Sequence, residues 1–294
     1  MTKRNFWDKW YGVILLFLIV FFAVVFVEEL FGMILTRFGE ALGLSDGMRF
    51  VLEMYAPTIM SIAGLIFYLH LTKKKNQFIL DSFKLGYKGN SIKSLMVGLL
   101  VGFIMNFFGI AAALIHGDIK LYLDFAISQI PFFLFALVCV FVQSTSEELW
   151  CRGFLYERLA IGYPLWVAVA VNGLLFAALH LGNDGMGVIP FLNILICGLS
   201  FSLAKWYTGS IWFPMGIHTM WNFTQNFLFG LPNSGLVSET SVFKLDAASS
   251  SLIYDHIFGV EGGIPGVLAD LILGLVFLYL GYKNGRLHEL TDKM

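Results

Sequence analysis

Apolar residues run along the chain in long stretches separated by short polar ones. Each stretch comes close to the about 20 residues that an α-helix needs to cross the hydrocarbon core of a bilayer. Eight can be placed, near 11–35, 51–71, 95–116, 130–155, 164–182, 187–206, 211–229 and 264–282. The pattern predicts an all-α fold, a polytopic transmembrane helical bundle of about eight spanning helices. With no internal repeat and no soluble stretch of domain size, residues 1–294 read as a single integral membrane domain. The segment 230–263, rich in Ser, Gly and Asn, predicts a mobile loop with little chemistry of its own.

Composition agrees with the pattern. The chain is 58% hydrophobic and 13% charged, whereas charged residues make up about a quarter of a soluble domain. A net charge of -1 gives no basic footprint, so nucleic acid is not an expected partner. Cys139, Cys151 and Cys197 lie in or beside apolar runs without CxxC spacing and read as buried thiols. Basic residues set the orientation. Lys3, Arg4 and Lys9 precede the first span, Lys73, Lys74, Lys75, Lys84, Lys88 and Lys93 follow the second, and Lys283, Arg286 and Lys293 follow the last, while the alternate loops are poor in lysine and arginine. This asymmetry predicts a multi-pass protein of the cell membrane with both termini cytoplasmic.

Three polar constellations stand out inside the apolar segments: Glu147-Glu148-x-x-x-Arg152, "FAALH" from Phe176 to His180, and "HTMWN" from His218 to Asn222. Positions i and i+4 of a helix share a face while adjacent positions point about 100° apart. Glu148 can therefore pair with Arg152, and Glu147 must look elsewhere. Phe176 can pack beneath His180, and His218 and Asn222 project one turn apart. A carboxylate base, two imidazoles and an amide donor form the inventory needed to activate water and hold an oxyanion. Other acidic residues in apolar segments, Glu28, Glu29, Glu53 and Asp270, lack such company and read as structural or topological.

One glutamate and two histidines also make a sound ligand set for catalytic zinc, namely Glu147, His180 and His218. Glu147 would then no longer be free to act as base, Glu148 points away from it, and neither histidine motif is the HExxH that supplies two ligands and a base on one helix. The residues favour no cofactor, with zinc as the alternative. Depth raises a separate problem. With about 1.5 Å of rise per residue, Glu147 and His218 fall about 12 Å and 10 Å from the cytoplasmic edge, but His180 comes out at about 24 Å.

"EELWCRG", "FAALH" and "HTMWN" resemble, in order, the EExxxR, FxxxH and HxxxN/B motifs of the CPBP family, the CAAX prenyl protease and bacteriocin-processing membrane proteins. The resemblance covers about Ile130 to Phe229, which delimits a catalytic core at 130–229, and no motif position departs from the pattern. It implies an intramembrane peptide hydrolase, of glutamate type or a metalloprotease, with Glu147 as general base and His180 orienting the water or shuttling its proton. His218 and Asn222 would steady the oxyanion, with Glu148, Arg152 and Phe176 in support. The implied partners are the lipid bilayer and a peptide or protein substrate, isoprenylated in the best-known branch, whereas other members serve peptide processing or bacteriocin self-immunity. A non-enzymatic scaffold or immunity protein of the same fold is the competing expectation. A proton-coupled transporter would need the repeated halves that this chain lacks.

Overall fold

The computed structural model describes residues 5–291. The orientation signals at Lys3, Arg4 and Lys293 lie outside them. Among the described residues, six helical segments are long and apolar enough to cross a membrane: Trp10–Ala41, Asp46–Leu71, Ile92–His116, Ile127–Ala160, Val188–Thr208 and Ile264–Lys283. The first is helix α1 (Trp10–Ala41). The second is broken at Pro57 into α2 (Asp46–Met54) and α3 (Thr58–Leu71), and a polar helix α4 (Lys73–Ser82) follows. Then come α5 (Ile92–His116), α6 (Ile130–Glu148), a π-helical stretch Leu149–Leu155 and α7 (Tyr156–Ala160). After α8 (Leu165–Leu179) come α9 (Val188–Thr208), α10 (Trp212–Phe223) with a second π-helical stretch Thr224–Leu228, α11 (Ile264–Lys283) and the short α12 (His288–Thr291).

Each of the eight apolar stretches is helical, but two are short. α8 has 15 residues and α10 has 12. Spanning length is not demanded of a helix whose ends are satisfied by protein instead of by water. For α10 those partners can be named. At its start, Asn90 accepts from the Ile211 backbone N–H at 2.9 Å and from Ser210 Oγ at 3.2 Å, and both Ser210 and Ile211 are buried. Beyond its end, Gln225 donates to the Pro232 carbonyl and Asn226 to those of Leu231 and Leu236. The helix therefore begins and ends inside the protein.

Close packing of α10 against α5 depends on glycine. A Cβ added at Gly102 would stand 2.2 Å from the Ile217 carbonyl oxygen, and one at Gly98 would stand 2.2 Å from that of Phe213. This small-xxx-small face lets two backbones meet where lipid offers no hydrophobic drive for association, and it fixes the segment that carries His218.

The segment after α10 differs from the mobile loop that its composition predicts. Strand β2 (Phe243–Ala248) pairs antiparallel with β1 (Ile119–Leu123), with a register shift between Lys120 and Leu121. Leu231, Tyr254 and Phe258 of the same segment are fully buried. Scattered large apolar residues among the polar ones anchor it as a cap on the bundle, a role that local composition does not reveal.

Candidate active site

Glu147, Phe176, His180, His218 and Asn222 line one cavity of about 120 Å³. His180 Nε2 lies 3.9 Å and His218 Nε2 3.8 Å from the same atom, Glu147 Oε2. The depth problem disappears for two structural reasons. The helical run bearing Glu147 continues to Ala160 instead of ending near Leu155, which sets Glu147 and His180 at about 20 Å and 22 Å from the adjoining helix ends. Then α10 starts below the surface, so that a count of residues from its first turn underestimates the depth of His218.

The hydrogen-bond partners fix which nitrogen of each imidazole faces the cavity. His180 Nδ1 lies 2.8 Å from the Phe176 carbonyl oxygen, which can only accept, so Nδ1 carries the proton and Nε2 is turned towards Glu147. The Phe176 ring packs on His180 at 4.7 Å between centroids. His218 Nδ1 lies 3.0 Å from Glu148 Oε1, which accepts its proton in turn. Glu147 Oε2 has no hydrogen-bond partner among the described residues. Three polar atoms thus converge on a space where a water molecule would find the two to four partners that an ordered water needs.

Glu148 and Arg152 stand behind this wall. Both side chains are 0% exposed, and Arg152 donates to Glu148 at 3.0 Å and to the Gly198 carbonyl at 3.3 Å. The guanidinium carbon sits 4.4 Å from the Phe176 ring centroid and 5.3 Å from that of Phe201. A buried ion pair gains little net stability, but it is costly to break from one side, so the cluster Arg152–Glu148–His218 behaves as one unit. The π-helical stretch Leu149–Leu155 carries the arginine. It is braced by Asn172, which donates to the Cys151 carbonyl, and by Lys205, which donates to that of Arg152 and to Glu157 at 2.6 Å. Such π segments are frequent at functional sites.

Spacing had separated the two glutamates, but it had not identified Gln143. Its amide nitrogen donates to Glu147 Oε1, and its oxygen accepts from Asn222 Nδ2 at 3.1 Å, so one side chain links the acid of α6 to the amide of α10. The available signal was its position four residues before Glu147. Two acidic residues from beyond the motif region also line the cavity, Glu261 and Asp270. Glu261 accepts from Trp221 Nε1 at 3.0 Å and from both the backbone and the hydroxyl of Ser234 at 2.8 and 2.6 Å. It thereby ties the cap to the residue next to Asn222. Burial pushes its carboxyl above the ordinary range, against the pull of these donors. Asp270, which the sequence left without company, is part of the cavity wall.

Residues 129–224 match the family model described as Type II CAAX prenyl endopeptidase Rce1-like. Comparisons with curated proteins and with solved structures give no match. The matched residues contain all three motifs, which bears out the CPBP resemblance, and they point to a membrane protease of the CAAX type.

Proposed function

With residues 129–224 matching type II CAAX prenyl endopeptidases, we propose that this protein is an intramembrane endopeptidase in which Glu147 activates the attacking water. The observation that carries this reading is the approach of two imidazole nitrogens to one oxygen of Glu147, at 3.8 and 3.9 Å, inside a cavity. Water held there gives a proton to Glu147 while its oxygen attacks the carbonyl carbon of the peptide. His180, its Nδ1 fixed by the Phe176 carbonyl, orients that water. In the imidazolium form His218 has a carboxylate on each nitrogen, and its Nε2–H, with the second N–H of Asn222, faces the oxyanion. Collapse of the tetrahedral intermediate breaks the C–N bond, and the proton on Glu147 passes to the leaving amine.

Whether zinc takes part is a matter of donor spacing. Ligands around a tetrahedral zinc bonded at about 2.0–2.2 Å stand about 3.3–3.6 Å apart, less than the 3.8 and 3.9 Å measured from Glu147 Oε2. The spacings are slightly wider than a closed zinc shell and neither histidine motif is HExxH, so the proposed reading is a glutamate mechanism without a metal.

The substrate class in this reading is a peptide that reaches the site through the membrane, with prenylated CAAX tails and unmodified membrane peptides as the two sets to compare. Purified protein should cleave members of one set, and Glu147→Gln protein should cleave none. Failure of wild-type protein to cleave either set would sink the reading. Orientation in the cell membrane belongs to the same proposal. Arg158 meets both Asp8 and Asn76, and Lys88, Lys205 and Arg286 line one hollow, so the N-terminal segment, the lysine-rich region and the C-terminal helix gather at one end. That end should be cytoplasmic. Cysteines placed near Lys75 should resist membrane-impermeant reagents added to intact cells, and labelling there would reverse the assignment.

A further inference from the structure

Asp270 is an ionisable residue on a membrane-spanning helix, 2% exposed, and its side chain forms no hydrogen bond or ion pair among the described residues; Ser200 bonds only to its backbone carbonyl. An acidic group in that setting faces a protein interior and serves function more often than it stabilises. Here it lines the catalytic cavity, and so does Asn193, also 2% exposed, whose Nδ2 is sealed from solvent without a partner. The other carboxylates of the cavity are engaged, Glu147 by Gln143 and Glu261 by Trp221 and Ser234. Among the described residues no lysine or arginine lines it.

The wall between Asp270 and the histidines has a definite chemistry. Asn193, Cys197 and Phe201 recur every four residues on one face of α9 and all border the cavity. The Phe201 ring lies 6.0 Å from that of His218, while Asn193 lies about 12 Å further along the helix. The bond from Ser200 Oγ to the Asp270 carbonyl, 2.7 Å, holds Asp270 beside the middle of this face. A group that leaves the reacting centre along α9 therefore meets apolar contacts first, then an acidic side chain without a hydrogen-bond or ion-pair partner, then an amide without a fixed partner. Lysine and arginine side chains have that order, an apolar stem with a cationic head.

We infer that Asp270 and Asn193 form a specificity subsite that takes a basic side chain, lysine or arginine, of the peptide substrate. This rests on the proteolytic reading given above. The stem runs along Phe201 and Cys197, the head pairs with Asp270, and the Asn193 amide, held by no partner, turns its carbonyl oxygen to the same head. The cavity then discriminates by charge: a cation gives Asp270 the ion-pair partner it lacks, and an acidic substrate side chain meets three acidic groups.

A position-scanned peptide library, each position carrying lysine, arginine, norleucine or glutamate, serves two measurements on the full-length protein in detergent. Single-turnover cleavage by wild-type and Asp270→Asn proteins reads specificity. Fluorescence anisotropy with Glu147→Gln and with Glu147→Gln/Asp270→Asn reads binding without turnover. Asp270→Asn keeps the size and replaces the acid by an amide, and its melting temperature is recorded alongside. The expected result is a preference of about tenfold or more for lysine or arginine over norleucine at one position, which falls to near unity when Asp270 is neutralised. No preference in wild-type protein, or the same preference in Asp270→Asn, overturns the subsite even if peptides are cleaved. A preference in binding that Asp270→Asn abolishes, with no peptide cleaved, upholds the cation site and overturns the proteolytic reading instead.

Discussion

His218 Nδ1 and Glu148 Oε1 stand 3.0 Å apart, so the second glutamate of the pair holds a histidine of the cavity as well as an arginine. Its loss would reach the site through that histidine. Glu147→Gln should leave the protein folded and abolish turnover, because the amide keeps the shape and cannot accept a proton. Glu148→Gln should lower stability by about 3–5 kcal/mol, the cost of leaving a buried arginine without its counter-charge, and should also slow turnover in the folded fraction. Thermal unfolding and single-turnover kinetics on both variants check this. A Glu148→Gln protein of wild-type stability and rate would mean that the ion pair and its contact with His218 are incidental.

Gln143 joins Glu147 to Asn222, and replacing it by leucine should release both. A misplacement of about 1 Å at a reacting group can cost about 10²-fold in rate, so Gln143→Leu should lose on that order with little change in melting temperature. Asn222→Ala, which removes the proposed oxyanion donor, should lose about 10²–10³. Equal losses in the double and single variants would show that the two side chains act as one unit.

The approach of α5 to α10 leaves no room at Gly102, where an added Cβ would meet the Ile217 carbonyl at 2.2 Å. Gly102→Leu should destabilise by about 1–3 kcal/mol or more and should depress activity, since Ile217 is the neighbour of His218. The melting temperature and rate of this variant should fall together. An unchanged protein would mean that α5 does not set the position of α10.

Metal removal is the test of the water mechanism. Dialysis against a chelator should leave the rate within about twofold of its starting value, because neither proton transfer nor oxyanion binding is assigned to an ion. Activity lost on chelation and restored by zinc alone would instead make Glu147, His180 and His218 ligands.

Much of the site was legible because the helix repeat turns spacing into facing. The i,i+4 spacing of Glu148 with Arg152 and of Phe176 with His180 brings each pair together even though Arg152 lies in a π-helical stretch and His180 caps α8. The depth of each residue was not legible. It depends on where a helix starts, and α10 starts beneath Asn90, a contact 121 positions away in sequence. The cap was missed because Leu231, Tyr254 and Phe258 are anchors only when a cavity exists to receive them. The company of Asp270 was hidden for a related reason. Alone on its helix it had no neighbour at helical spacing, and its company comes from α9, with which it shares a wall only in three dimensions.

Both ends of α10 are finished by side chains of the protein itself, and His218 and Asn222 on it are buried. Bilayers differ in thickness, and a spanning helix adapts to the mismatch by tilting. That adjustment falls first on the outer helices, whose apolar surfaces are exposed, whereas the two ends of α10 are set by protein partners. The protein carries its own interior floor and ceiling for this one helix, so the reacting geometry is referenced to the chain and not to the membrane around it.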